Sequence, residues 1–279
     1  NTNGCTSSKT VDVATDPAVP TAFDLAVKDI RCFGDHNGFI TVSDVAGGTE
    51  PFIFTLNGNT GASANQFSGL SAGSYTLTLQ DANGCLLDTV IAITEPTELL
   101  VDLGPDIEVQ LGEEATVTAL IANSTPLQSV TWNYAPNCDS TTTYCESFTY
   151  LPLQSYRHQV TVKDINGCVA SDRVNVIVKK NRLVYVPNVF NPGSADPLNS
   201  LLMIQGGTGV SKVRQWQIYD RWGGAVFGVN DFLPNDPAYA WDGKIRGNGD
   251  NTGVYTWFAE IEFVDGEVEL FKGDVTIVR

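Results

Sequence analysis

Histidine occurs only twice, as His36 and His158, and methionine only once. Two histidines leave little material for a Ser-His-Asp triad or a histidine-rich metal site. No stretch approaches the roughly 18 consecutive apolar residues of a membrane-crossing helix. Positive charge is scarce as well: 16 Lys and Arg stand against 32 Asp and Glu, a net charge of -16. A nucleic-acid binder needs cations to displace counterions from phosphate, so that class is excluded. The same charge sets the surface against anionic membranes. No segment sustains the 3.6-residue apolar period of a helix, whereas period-2 alternation recurs throughout. An all-β chain follows. Its 279 residues exceed one small β domain and suit two or three of about 100 residues each. None of the six Cys forms a Cys-x-x-Cys pair, so they read as disulfides of an oxidising compartment rather than zinc ligands.

An internal repeat organises the chain. Asn3-Gly4-Cys5, Asn83-Gly84-Cys85 and Asn166-Gly167-Cys168 recur at spacings of 80 and 83, each followed by an alternating strand. Recurrence at a near-fixed period means successive units of one kind. Residues 1–20 then align with 82–97 and read as the last strand of a unit that begins upstream. A whole unit follows at 21–97. Within it Tyr75, Leu77 and Leu79 face one way and Thr76, Thr78 and Gln80 the other, as in a half-buried sandwich strand. A second unit spans 98–180, with Trp132 as its expected core aromatic. The link Asn181-Arg182-Leu183 lacks Gly and Pro and predicts a narrow range of angles to the last domain, 181–279.

The last domain carries the densest motifs. Val186-Pro187-Asn188-Val189-Phe190, Asn191-Pro192 and Asn199 come first. Asp220-Arg221-Trp222-Gly223, Trp241-Asp242-Gly243 and Gly253-Val254-Tyr255 follow, and Lys272 to Arg279 closes the chain. Asp265-Gly266 between two alternating runs predicts a two-residue hairpin turn with both residues at positive φ. In this order the motifs resemble the type B C-terminal domain of the type IX secretion system, the gliding-motility-associated C-terminal domain. The family's usual acidic run is replaced by Gly193 to Ser200, which keeps one carboxylate, Asp196, and so offers a hard cation few ligands. Upstream, CFGDHNGFI, GGTEPFIF and GLSAGSYTLTLQDANGC resemble the SprB repeat of gliding adhesins. Residues 98–180 resemble a PKD/immunoglobulin-like sandwich. On this frame Cys32 is expected to pair with Cys85, and Cys138 with Cys145 in one loop. A bond from Cys168 to Cys138 or Cys145 stays open.

Several patterns invite a chemical reading and have a plainer one. Gly69-Leu70-Ser71-Ala72-Gly73 matches the nucleophile-elbow pattern, but a strand follows where a helix is required. Both His36 and His158 read as solvated. Asp35-His36-Asn37-Gly38, Asp81-Ala82-Asn83-Gly84 and Asp164-Ile165-Asn166-Gly167 offer oxygens to calcium, yet Asp and Asn also cap turns through their own side chains, and the turn is preferred. Gly247 to Asn251 is judged the same way. Glu260, Glu262, Glu267 and Glu269 alternate with apolar residues, so they form a solvated hairpin face rather than a glycosidase pair.

The resemblance implies a non-enzymatic array of Ig-like β-sandwiches ending in a sorting domain, without cofactor. It implies export to the cell surface by the type IX machinery and non-covalent attachment to a PorP/SprF-like outer-membrane β-barrel protein. The missing signal peptide then reads as the mark of a longer protein. Candidate contact residues are Asp220, Arg221, Trp222, Trp241, Asp242, Tyr255, Lys272, Val278 and Arg279, with strand addition at an exposed edge as one mode. Two other readings stand beside it: an accessory region of a secreted enzyme, and a carbohydrate-binding module array using exposed Trp and Tyr of the repeat units.

Overall fold

The computed structural model describes residues 9, 18–60, 65–136, 138, 145–245 and 252–279. The expectations for Asn3-Gly4-Cys5 and for Gly247 to Asn251 lie outside them. The chain is all-β, with one four-residue helix and one 3-10 turn among the described residues. Contacts divide it into two compact units. The first is Asn1–Leu100 with Ala122–Gln128 and Lys163–Ala170; the second is Val101–Ile121, Ser129–Val162 and Ser171–Arg279.

In the first unit, seven strands run in order: β1 (Pro20–Lys28), β2 (Gly38–Gly47), β3 (Ile53–Leu56), β4 (Asn59–Thr60), β5 (Gln66–Leu70), β6 (Gly73–Gln80) and β7 (Leu86–Ile93). They form two sheets, β1-β2-β5 and β4-β3-β6-β7. Period-2 alternation sends Ile40, Val42 and Phe67 from one sheet, and Phe54, Leu56, Leu77, Leu79, Ile91 and Ile93 from the other, into a single core. Leu77 and Leu79 are fully buried and Tyr75 packs partly against them. Ser71 lies between strands β5 and β6, not at a strand–helix elbow. Its hydroxyl meets Nδ1 of the exposed His36 at 2.7 Å.

The hairpin joining β6 to β7 shows why Asp-x-Asn-Gly recurs. Asp81 N–H donates to Cys85 O at 3.1 Å and Gly84 N–H to Asp81 O at 3.0 Å. Gly84 takes φ +83°, a left-handed conformation that glycine adopts at little cost. The Asp81 carboxylate accepts the N–H groups of Thr49, Asn83 and Cys85. Burial pushes this carboxyl up, but those donors outweigh it and hold it below its ordinary value. Asp164 and Cys168 repeat the geometry, and so do Asp220 and Gly224. The carboxylates are therefore turn anchors.

The disulfide expectation is corrected. Cys32 bonds to Cys168, Cys138 to Cys145, and Cys85 forms no disulfide. Strand direction explains it. Ile30 N–H donates to Thr94 O, which puts Cys32 beside the far end of β7. Cys85 sits at the opposite end, before Leu86. Eight residues of strand separate the ends by roughly 25 Å, whereas a bridge needs Cα atoms within about 7 Å. Cys168 lies in the Lys163–Ala170 turn, which is part of the same compact unit as Cys32.

The second unit contains most of β8 (Leu100–Asp102), β9 (Ile107–Gln110), β10 (Ala115–Thr118), β11 (Leu120–Ala122), β12 (Leu127–Trp132), β13 (Ser147–Tyr150), β14 (Tyr156–Asp164) and β15 (Val169–Lys179). One sheet is ordered β12-β14-β15-β9, with β9 parallel to β15, and the ribbons β10-β13 and β8-β11 complete the set. Val117, Val160, Val162, Val174 and Val176 are buried. Trp132 is only half-buried; the buried ring is Phe148, which it meets edge-on at 5.0 Å. His158 is not solvated but fully buried. It is the third residue of β14, on the same face as Val160 and Val162, so the alternation carries it inward. Its Nε2 lies 2.7 Å from Tyr150 Oη and its Nδ1 3.0 Å from Tyr134 O. Burial pulls the imidazole below its ordinary pKa and pushes the Tyr150 phenol up to about 12, so both groups are neutral and the imidazole carries its proton on Nδ1.

The same unit ends with β16 (Val184–Tyr185), β17 (Val189–Phe190), α1 (Pro197–Ser200), β18 (Gln205–Gly206), β19 (Val210–Tyr219), β20 (Ala225–Phe232), the 3-10 turn Pro237–Tyr239, β21 (Gly253–Phe263) and β22 (Val268–Ile277). The main sheet is ordered β17-β22-β21-β19-β20. The turn at Asp265-Gly266 differs from the expected one. Only Gly266 has positive φ, and Phe263 N–H donates to Glu267 O. The loop is thus three residues with a left-handed glycine, the same form as the Asp-anchored turns. Val264 N–H donates to Gly209 O, and Thr208 Oγ1 to Leu111 O. The Asp265 side chain, 5% exposed, accepts Lys180 Nζ at 3.0 Å and Arg182 Nη2 at 3.3 Å. Arg182 also bonds Glu269 and lies over the Phe263 ring, 4.4 Å from its centre. The link 180–182 is thereby fastened to the last hairpin.

Two outcomes follow. Peptide mapping without reduction is expected to recover Cys32 linked to Cys168, with Cys85 open to alkylation; Cys32 linked to Cys85 would overturn the pairing. Opening this bridge by Cys32→Ser, across a separation of 136 residues, should cost about 5 kcal/mol in urea unfolding. Asp265→Asn should cost about 2 kcal/mol at neutral pH. Burial raises the Asp265 carboxyl, but Lys180, the Glu267 N–H and Arg182 lower it further, to a net value below the ordinary one. Its contribution is then complete above the unfolded value of about 4 and lost as pH falls through the lower folded value. The gap between variant and parent should accordingly close in melts taken at falling pH below about 4.

Candidate functional site

The motifs of the last 99 residues, 181–279, converge at one end of the five-stranded sheet. β22 lies between β17 and β21, and its last residues are held on both sides: Phe190 pairs with Ile277 and Gly253 with Ile277. This places Asn191-Pro192, just after β17, beside Val278-Arg279, just after β22. Trp241, Asp242 and Gly243 meet them from the loop after the 3-10 turn, through the bridge Leu202↔Trp241.

Trp241 is the pivot. It is 1% exposed. Its ring lies 5.6 Å from Phe190, 5.1 Å edge-on from Tyr255 and 6.3 Å from Phe227, and its Nε1–H donates to Lys244 O at 3.2 Å. Gly243 has φ +74°, and a Cβ there would stand 2.8 Å from Pro192 Cγ and 3.2 Å from Phe190 Cζ. The Trp-Asp-Gly order thus has a steric cause: the ring fills the core, and the glycine lets the chain cross Pro192 closely. Asp242 turns outward. It accepts the Lys244 backbone N–H at 3.0 Å and the Lys244 Nζ at 2.9 Å. Burial pushes its carboxyl up, but both Lys244 contacts outweigh that and hold it below the ordinary range.

These residues enclose a cavity of 470 Å³, lined by Asn191, Pro192, Asp242, Lys244, Thr252 and the end of the chain, Ile277 to Arg279, among others. A second hollow of 280 Å³ shares Thr252 and is lined by Asp220, Arg221, Trp222, Gly253 and Tyr255. Asp220 does not pair with Arg221. Its carboxylate accepts the N–H groups of Trp222 and Gly224 at 2.9 and 2.8 Å, leaving the Arg221 guanidinium over the Trp222 ring at 5.1 Å. Trp222 is 82% exposed, an unusual outlay of apolar area for a tip residue.

The expected contact residues therefore separate. Arg221, Trp222, Asp242, Val278 and Arg279 stand at the surface of the two hollows. Trp241 and Tyr255 are core and act by shaping them. Burial raises the Tyr255 phenol, with Arg221 opposing and Asp220 adding. Asp220 builds the turn that presents Trp222. Lys272 pairs opposite Phe258 within the sheet, six residues or roughly 20 Å along the strand from Val278, and lines neither hollow. An added strand finds Thr276 and Ile277 already covered by β17; pairing on β22 would have to run upstream of them. Sequence reasoning missed Lys244 and Thr252, which belong to no motif and join the site only through the loop after Trp241.

Gly243→Ala is expected to lower stability by about 2 kcal/mol or more, because left-handed strain adds to a clash with the Pro192 ring. Thermal unfolding checks it, and an unchanged melting temperature would refute the packing argument.

No protein-family model matches the chain, and no curated protein matches it in sequence. Among solved structures it is similar to Sidekick-1 immunoglobulin domains 1–5, at TM-score 0.39 and 10% identity over 95% of this chain. It spans 60% of that structure's length. It is also similar to a tetra-tandem repeat from the extending region of a large adhesion protein, at TM-score 0.32 and 15% identity over 94% of this chain and 75% of the other. A third likeness is to a 1.5-MDa bacterial ice-binding adhesin, at TM-score 0.32 and 13% identity over 95% of this chain and 99% of that structure. No residue of the site is carried across from any of them.

Proposed function

We propose that this chain is the C-terminal part of a cell-surface adhesin, built of consecutive β-sandwiches at 21–97 and 98–180 and a terminal sorting domain at 181–279. In this reading the terminal domain is a type IX secretion signal that then holds the protein, without a covalent bond, on a PorP/SprF-like outer-membrane β-barrel protein. The upstream sandwiches act as a stalk, and no catalysis is assigned to the chain. One observation supports it above the others. Motifs separated by as much as 88 residues, from Asn191 to Arg279, line a single cavity at one end of the sheet. Beside it Trp222 and Arg221 are presented on a turn braced by Asp220. Exposed Trp with Arg is the usual makeup of an interface anchor. A shared face of this kind suits docking better than chemistry, since Asp242 and Lys244 in its wall are joined in a structural ion pair.

The test is a reporter placed ahead of the whole chain in a gliding bacterium, with and without the PorP/SprF-like protein. Protease-accessible reporter at the surface should require that barrel protein. Trp222→Ala and Arg221→Ala, both at exposed positions, should reduce retained reporter at least about tenfold while leaving the melting temperature unchanged. Surface display that ignores the barrel protein and both substitutions would sink the reading. Truncating 273–279 is a poor test, because it removes the inner strand of the sheet along with the contact.

A further inference from the structure

A further hollow lies away from the terminal site, where the strands β13 and β14 meet the segment after β12. It measures 350 Å³ and is lined by Tyr134, Tyr150, Leu151, Leu153, Gln154 and Tyr156, among others, with no charged side chain in its wall among the described residues. Ligand sites are commonly concave, mostly apolar hollows of about 300–1,000 Å³ with a few polar groups. Tyr134 and Tyr156 are 45% and 37% exposed, and Leu151 and Leu153 stand open beside them. The rings form one corner: Tyr134 lies 5.2 Å from Tyr156 and 6.1 Å from Tyr150, both at steep angles.

The corner is braced from behind. Buried His158 accepts the Tyr150 hydroxyl at Nε2 and donates from Nδ1 to the Tyr134 carbonyl. Its ring also packs 4.9 Å from Tyr156. One imidazole thus sets the position of all three tyrosines, and rings already ordered lose little entropy when a ligand stacks on them. A stalk sandwich needs no polar group at this depth; the alternating partners of His158 in β14 are Val160 and Val162.

We propose that this hollow binds a neutral pyranose of a polysaccharide. A sugar ring has an apolar C–H face that stacks on an aromatic side chain and a rim of hydroxyls that both donate and accept. The wall answers both needs: tyrosine faces for stacking, and the Tyr134 and Tyr156 hydroxyls with the Gln154 amide, which likewise donate and accept. The absence of a cation in the wall among the described residues and the net charge of -16 set it against uronic or sulfated chains. A proline-rich peptide also stacks on aromatic rings, but it occupies an extended groove, and this hollow is a single corner. The proposal is independent of docking at the chain terminus.

Calorimetric titration of the whole 279-residue chain tests it. The probes are cellohexaose, laminarihexaose, mannohexaose and maltoheptaose, with polygalacturonate and decaproline alongside. At least one neutral oligosaccharide should bind. Tyr134→Ala and Tyr156→Ala should each weaken it at least about tenfold, Tyr156→Phe should keep most of the affinity, and the exposed Gln154→Ala should weaken it without altering the melting temperature. No binding by any neutral probe at millimolar concentration would overturn the proposal. So would parental affinity in the tyrosine and glutamine variants, or binding of decaproline or polygalacturonate in their place.

Discussion

The chain depends on one recurring turn. A residue at the end of a strand shares hydrogen bonds with the residue four places on, and a glycine between them takes the left-handed conformation. It occurs at Asp81, Asp164, Asp220 and Phe263. In the first three the carboxylate also accepts the N–H of the residue four places on, which fixes the loop a second time. The turn sets the register of each hairpin. Register in turn decides which face of every strand enters the core, because a slip of one residue would invert it. Leu77 with Leu79, Val160 with Val162 and Trp216 with Ile218 are inside for this reason.

The same geometry controls the cysteines. A cysteine placed four residues after the Asp always lies at a strand end. Cys168 is bonded to Cys32 within the first compact unit. Cys85 occupies the identical place in its own turn and points away from Cys32 by the length of β7. Two cysteines alike in sequence context thus differ in chemistry because Cys32 lies beside one of them and a strand's length from the other.

In the last sheet, aromatic residues divide by depth. Trp241, Trp216 and Tyr255 are enclosed, while Trp222 projects. The buried set holds Asn191-Pro192, Asp242-Gly243 and the chain end against one another. The projecting ring and its arginine then meet solvent beside that cavity. Burial and exposure are divided between neighbouring residues of single motifs: Trp241 packs while Asp242 faces out, and Asp220 braces while Trp222 is presented.

Composition and alternation alone determined that the chain is all-β, that its surface is acidic, and that Asp81-Ala82-Asn83-Gly84 and Asp164-Ile165-Asn166-Gly167 are turns, since each depends on local preferences of a few adjacent residues; Asp35-His36-Asn37-Gly38, read the same way, leads directly into β2 instead. Much of the terminal site was legible in the same way, through Asp220 to Trp222, Asp242 and Val278-Arg279. Which aromatic is core and which is exposed was decided by tertiary packing, because Trp241 and Trp222 look equivalent until Phe190, Phe227 and Tyr255 close around one of them. The partner of Cys32, the burial of His158 beneath three tyrosines, and the entry of Lys244 and Thr252 into the terminal cavity were decided there too. Each depends on which strand ends and loops meet in space, and partners as distant as Cys32 and Cys168, 136 residues apart, carry no local signal of that meeting.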